Sequence, residues 1–294
     1  YGQLGDGTTT NRTTLGQVGT ATDWPGGRVG YRNNLAIKSD GTLWAWGYNN
    51  YGQLGDGTTT NRSVPTQIGT ATNWQSVAAG SDFSIAVKTD GTLWAWGYNI
   101  SGQLGDGTTT NRSIPTQIGT ATNWQSAACS SVHTIAIKTT GTLWAWGSNS
   151  NGQLGDGTTT NKTVPTQIGT ATNWQKIQCG FAHSIGIKTD GTLYTWGRNL
   201  SGALGIGGTN SVFAPGAISC PTSTLSNDEV IIENGKVFPN PVNDILNIAF
   251  DQAIDSVVIY NLLGQEVITK TINANETSID VSQLPLGTYL VKVN

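Results

Sequence analysis

The chain has 294 residues, 11% of them charged, with a formal net charge of −3. That length supports a large core and more than one domain. The basic residues are scattered rather than clustered, which excludes a nucleic-acid surface, and no apolar run is long enough to span a bilayer. Charge and aromatic content divide the chain. Residues 1–218 hold twelve basic residues against nine Asp and no Glu, while 219–294 hold three Lys against nine acids. All eleven Trp fall between Trp24 and Trp196. The three cysteines, Cys129, Cys179 and Cys220, make no disulfide framework.

The landmark GQLGDG begins at Gly2, Gly52, Gly102 and Gly152, with a degenerate copy at Gly202, so the sequence repeats every fifty residues. A period of that size marks a solenoid or a propeller. Within one copy, Val64–Ile68 reads as a strand, and Pro65, which has no N–H to donate, puts it at a sheet edge. Trp74–Ala79 is a second strand. Phe83–Lys88 alternates, with Phe83, Ile85 and Val87 on one side. Thr89-Asp90-Gly91 turns the chain, and Thr92–Trp96 closes a hairpin. Four strands without helical periodicity make a sheet that covers its faces only by radial stacking.

Blades are therefore expected at 14–47, 64–97, 114–147 and 164–197, joined by GQLGDGTTTN loops whose Leu54, Leu104 and Leu154 wedge between neighbours. Ser211–Ile218 then reads as the opening strand of a fifth blade. The predicted fold is all-β: a propeller of four-stranded antiparallel blades over 1–218, opening in mid-repeat and so expected to be a fragment of a larger ring, followed by a small β-sandwich. Residues 219–235 are polar, non-repetitive and expected to be a linker. From Lys236, strands are predicted at Ile245–Phe250, Ser256–Tyr260, Glu266–Thr271, Thr277–Val281 and Thr288–Val293, with turns at Gly264, Asn275 and Pro285–Gly287.

The motifs LWAWG (Leu43–Gly47), GQLG (Gly52–Gly55) and W-x₅-G-x₄-IAVKTDG (Trp74–Gly91), repeated in register, resemble the regulator of chromosome condensation repeat family. That resemblance implies a propeller, in the family a ring of roughly seven blades. The uniformity of the copies is similar to its bacterial branch. Residues 236–294 resemble the type A C-terminal sorting domain of the bacterial type IX secretion system. The matching pieces are Val237-Phe-Pro239-Asn240-Pro241, Ile245–Ile248, Val258–Asn261, Leu263-Gly264-Gln-Glu-Val267 and Leu284-x-x-Gly287-Thr-Tyr289. The tail resemblance implies recognition by the secretion machinery and a secreted or outer-surface location.

Candidate chemistry is sparse. Cys129/His133 and Cys179/His183 share a register, but the copy before them has Ala79 and Phe83, so packing accounts for them better than zinc. One Asp per DGTTTN loop falls short of a calcium site. No metal or cofactor is expected, and without a propeller Glu or a nucleophile elbow, neither is catalysis. Binding is expected instead at the loops that vary between copies, with Tyr31, Arg32, Tyr48, Tyr51, Phe83, Tyr98, His133, Phe181, His183 and Arg198 as candidates and a protein or glycan as partner. Two alternatives stay open: nucleotide exchange on a small GTPase, as the family's eukaryotic founder implies, and a secreted hydrolase scaffold.

Overall fold

The computed structural model describes residues 1–218 and 235–294, and the chain divides at Ser219/Cys220 into two compact units. The linker expected over 219–235 and Cys220 lie, except for Gly235, outside the described residues. Every regular element among them is a strand.

The first unit is four antiparallel sheets of four strands each. Blade one comprises β1 (Gly26–Val29), β2 (Asn33–Ile37), β3 (Leu43–Gly47) and β4 (Arg62–Gln67). Blade two comprises β5 (Trp74–Ala79), β6 (Phe83–Lys88), β7 (Leu93–Gly97) and β8 (Arg112–Gln117). Blade three comprises β9 (Trp124–Cys129), β10 (His133–Lys138), β11 (Leu143–Gly147) and β12 (Lys162–Ile168). Blade four comprises β13 (Trp174–Cys179), β14 (His183–Lys188), β15 (Leu193–Gly197) and β16 (Val212–Ala217). First strands of successive blades pack side by side, and fourth strands lie at the outer edge.

This corrects the blade boundaries expected from the sequence. The strand around Pro65 is indeed an edge strand, but it closes the preceding blade instead of opening the next. Gly47 pairs with Arg62, and Gly197 with Val212. The GQLGDGTTTN segment is consequently a long excursion inside a blade, between its third and fourth strands. Residues 14–18 form no strand, and the segment around Ser211–Ile218 completes blade four.

The wedge leucines do sit where expected. Leu54, Leu104 and Leu154 are fully buried, each in an apolar cluster that straddles a blade junction. The first such cluster joins Leu35, Leu43, Leu54 and Ile68 of blade one to Trp74, Ala86 and Trp96 of blade two. Gln53 delivers the wedge: its carbonyl accepts from Ser84 Oγ (2.8 Å) and Trp96 Nε1 (2.9 Å) of the next blade. Gly55 follows at φ 82°, where a Cβ would stand 2.8 Å from that Trp96 nitrogen, so only glycine lets the loop lie flat on the ring.

The second unit, expected to be a small sandwich, is one antiparallel sheet: β17 (Gly235–Phe238), β18 (Ile245–Tyr260), β19 (Glu266–Asp280) and β20 (Leu290–Val293). Four expected strands merge into two long ones, because β18 and β19 absorb the breaks near 251–255 and Asn275 as register shifts. β17 and β20 pair with opposite ends of β18, and a single core of Leu246, Ile248, Val257, Ile259 and Ile279 serves both halves.

Candidate binding surface

The turn between the first two strands of a blade and the loop after its third strand lie at the same end, because Asn33 pairs with Gly47 and Phe83 with Gly97. Many of the positions that differ between copies collect at this end. Tyr31 (73% exposed), Phe181 (65%), Ile100 (64%) and Leu200 (65%) project from it, with Tyr51 and Arg198 exposed beside them. Rings run along it: Tyr1 to Tyr48 at 4.8 Å, Tyr48 to Tyr51 at 6.3 Å, Tyr51 to Tyr98 at 4.7 Å. Arg32 is half-buried, its guanidinium over Tyr31 (5.1 Å), Tyr48 (5.4 Å) and Tyr1 (5.7 Å). On the next blade, burial pushes the Asp82 carboxyl up, with Arg32 opposing the shift, and Gln53 Nε2 donates to it at 3.3 Å.

Three candidates are withdrawn from this surface. Phe83 and His133 are fully buried, because their strand position points with Ile85 and Ile135 into the blade junction. Tyr48 is 8% exposed, packed between its aromatic neighbours and Arg32. Tyr98 and His183 are half-buried and stay at the margin.

His133 is a junction element. Its Nδ1 lies 2.7 Å from Ser130 Oγ and its Nε2 2.8 Å from Ser184 Oγ of blade four. Ser184 donates to the Gln153 carbonyl (2.9 Å), so it accepts from Nε2–H and the imidazole is the neutral Nε2–H tautomer. Burial, with His183 adding to it, holds His133 down at about 3. Cys129 and Cys179 are reduced and half-buried, and burial pushes both thiols up.

Two features were not read from the sequence. Asn99, fully buried, organises its loop: Nδ2 donates to the carbonyls of Thr108 and Thr110 (3.1 Å each), while Oδ1 accepts from Leu104 N–H (2.9 Å). Asn49 and Asn149 do the same. Asp106 braces that loop. Burial opposes its charge, but the Thr108 hydroxyl and Arg112 outweigh it and hold the carboxyl below its ordinary value. At the opposite end of each blade a lysine is clasped by two rings: Lys88 by Trp74 (4.7 Å) and Trp94 (4.1 Å), and Lys138 by Trp124 (4.7 Å) and Trp144 (3.9 Å). The aromatic/Lys spacing is visible in every repeat, with Tyr194 in place of the second Trp in blade four, but only the pairing of strands brings the three together.

In the tail, Pro239, Asn240 and Pro241 are exposed after β17, and Gly264 (φ 77°) ends the turn that Asn261 organises between β18 and β19. Gly287 is exposed, and Tyr289 folds its hydroxyl back onto the Pro285 carbonyl (2.9 Å).

The repeat is matched by the regulator of chromosome condensation (RCC1) repeat over residues 40–87, 90–137, 140–187 and 190–231. The chain belongs to the RCC1 repeat family. A second form of the RCC1 repeat matches at 74–103, 124–153 and 174–203. Residues 236–294 match the secretion system C-terminal sorting domain, which indicates secretion or outer-surface attachment in bacteria and interaction with the secretion machinery. No curated protein matches the chain. Among solved structures, human WBSCR16 aligns with a TM-score of 0.68 at 25% identity, covering 75% of this chain and 61% of that one. Prp20p from Saccharomyces cerevisiae, whose structure was reported with its binding properties to Gsp1p and histones, aligns with a TM-score of 0.63 at 20% identity, covering 72% and 53%. The RCC1 repeat chain thus spans between half and two thirds of the length of these proteins. At such identity the likeness to Prp20p is one of fold.

Proposed function

We propose that the protein is a secreted, non-enzymatic binding protein that engages a protein or a glycan through the variable loop end of its propeller. One observation carries this reading. The blades are near copies, yet at one end their exposed side chains diverge: Tyr31 and Phe181 in the first turn, where blades two and three carry a half-buried serine, and Asn50, Ile100, Ser150 and Leu200 in the second. Exposed aromatic and arginine side chains on a rigid base are the composition of binding hot spots, and a preformed rim loses little entropy on association. Catalysis has no comparable support: the buried imidazole of His133 is occupied by two serine hydroxyls, and the propeller holds no Glu.

The test is photo-cross-linking from positions 51 and 181, with positions 89 and 189 at the opposite end as controls, on cells and extracellular material of the source bacterium. Discrete adducts from 51 and 181 alone are expected. Equal labelling from both ends, or none from either, would overturn the reading.

A further inference from the structure

We propose a second binding function at a different place: the clefts between successive blades, toward the end away from the variable loops, are repeated sites for neutral saccharide units. The propeller would then grip one polysaccharide at several points. At the junction of blades one and two the cleft measures about 520 Å³, within the ~300–1,000 Å³ span of small-ligand sites. Gln67 at the end of β4 and Thr70 after it line the cleft together with Lys88 and Trp94 of blade two.

The chemistry of these four groups fits a sugar. Lys88 Nζ is held between two rings and has no hydrogen-bond acceptor among the described residues, so its N–H groups are free for a hydroxyl. The Gln67 amide is pre-oriented: Nε2 donates to the Gly69 carbonyl (3.2 Å), which leaves Oε1 as an acceptor. Trp94 is half-buried, its Nε1 satisfied by Thr92 Oγ1 (2.8 Å), and offers an apolar surface for sugar C–H groups. No cluster of cations awaits an acidic ligand: Arg62, which also lines the cleft, is paired with Asp56, and the Lys88 ammonium already faces two π-systems.

Repetition is the second line of argument. Gln117 and Gln167 are pinned identically, to Gly119 (3.3 Å) and Gly169 (3.1 Å), and Lys138 and Lys188 are clasped as Lys88 is. Gln67, Gln117 and Gln167, like Thr70, Thr120 and Thr170, are exposed, so packing does not require their identity. They are nevertheless the same at the three junctions between blades, with Ala217 at the equivalent position of blade four, while the loops at the other end have diverged. Equivalent sites on a rigid scaffold gain avidity for a polymer that spans them.

The experiment measures binding of the full chain to soluble laminarin, mannan and dextran, to short oligosaccharides of each, and to polygalacturonate, by calorimetry and tryptophan fluorescence. At least one neutral polymer is expected to bind on the order of 10²-fold more tightly than its own short oligosaccharide. The triple variant Gln67→Ala, Gln117→Ala, Gln167→Ala should lose at least about tenfold, with its melting temperature unchanged, since these side chains are on the surface. Tyr51→Ala with Tyr98→Ala should leave this binding intact, which separates it from partner binding at the loops. Absence of binding to all three neutral polymers, a triple variant that binds as the parent does, or binding of polygalacturonate alone with suppression by salt would overturn the proposal.

Discussion

His133 makes the junction between blades three and four sensitive to acid. Its neutral imidazole joins Ser130 to Ser184, and protonation would add a proton where the Ser130 hydroxyl now donates. The folded value of about 3 lies below the ordinary 6.5. Stability contributed by the neutral ring is therefore fully present above pH 6.5 and is lost as pH falls from there toward 3. At 1.36 kcal/mol per pH unit, the loss is about 3 kcal/mol at pH 4.5 and about 4 kcal/mol at pH 3.

Blade two supplies the control. There the same position is Phe83, beside Gly80, where a Cβ would stand 2.7 Å from the Phe83 ring. The replacement must therefore be made as a pair, Ser130→Gly with His133→Phe. Thermal unfolding of the full chain at pH 7 and pH 4.5 should show a smaller acid-induced drop in the double variant, by on the order of 5–10 °C. Aspartates such as Asp56 and Asp106, which burial opposes but hydroxyl and Arg partners hold low, also lose their contribution in acid. They are common to both proteins and cancel in the comparison. Equal drops in parent and variant would refute the reasoning.

Two further substitutions probe the loops. Asn99→Ala strands the Leu104 N–H and two carbonyls in a buried loop and should cost about 2–4 kcal/mol in denaturant unfolding, whereas a loss below about 1 kcal/mol would deny Asn99 its organising role. Gly105→Ala combines φ 81° with a Cβ 2.6 Å from Trp146 Nε1, so unfolding should show a loss of at least about 2 kcal/mol and a change in near-ultraviolet tryptophan signal.

The repeat, the hairpin of β6 and β7 and the wedge leucines were legible because they rest on local rules: a fixed period, alternation, and a glycine turn. The blade boundary was not. Pro65 marks an edge strand without saying which sheet it borders. That is decided by Asn49, whose bonds to Thr58 and Thr60 fold the excursion back so that Arg62 meets Gly47. Phe83 and His133 were misplaced for a different reason. Alternation had already grouped Phe83 with Ile85 and Val87, and variability between copies was the weaker signal. In the tail, breaks in the apolar pattern read as turns, but a long paired strand tolerates them as bulges. Of the surface, the exposed Tyr31, Tyr51, Phe181 and Arg198 were within reach of sequence reasoning. The lysine clasps were not, since Trp74, Lys88 and Trp94 meet only across three strands.

The handover of the Gln53 carbonyl to Ser84 and Trp96 has a consequence for how such a protein can change size. Each sheet is joined to its successor by a hydroxyl on the same glutamine carbonyl, with Gln103 to Thr134 and Gln153 to Ser184 as later copies of that half of the joint. A crossover between two copies that leaves the Gly80/Phe83 and Ser130/His133 pairs together regenerates an intact joint on both sides. A run of blades built this way can gain or shed whole units at such joints.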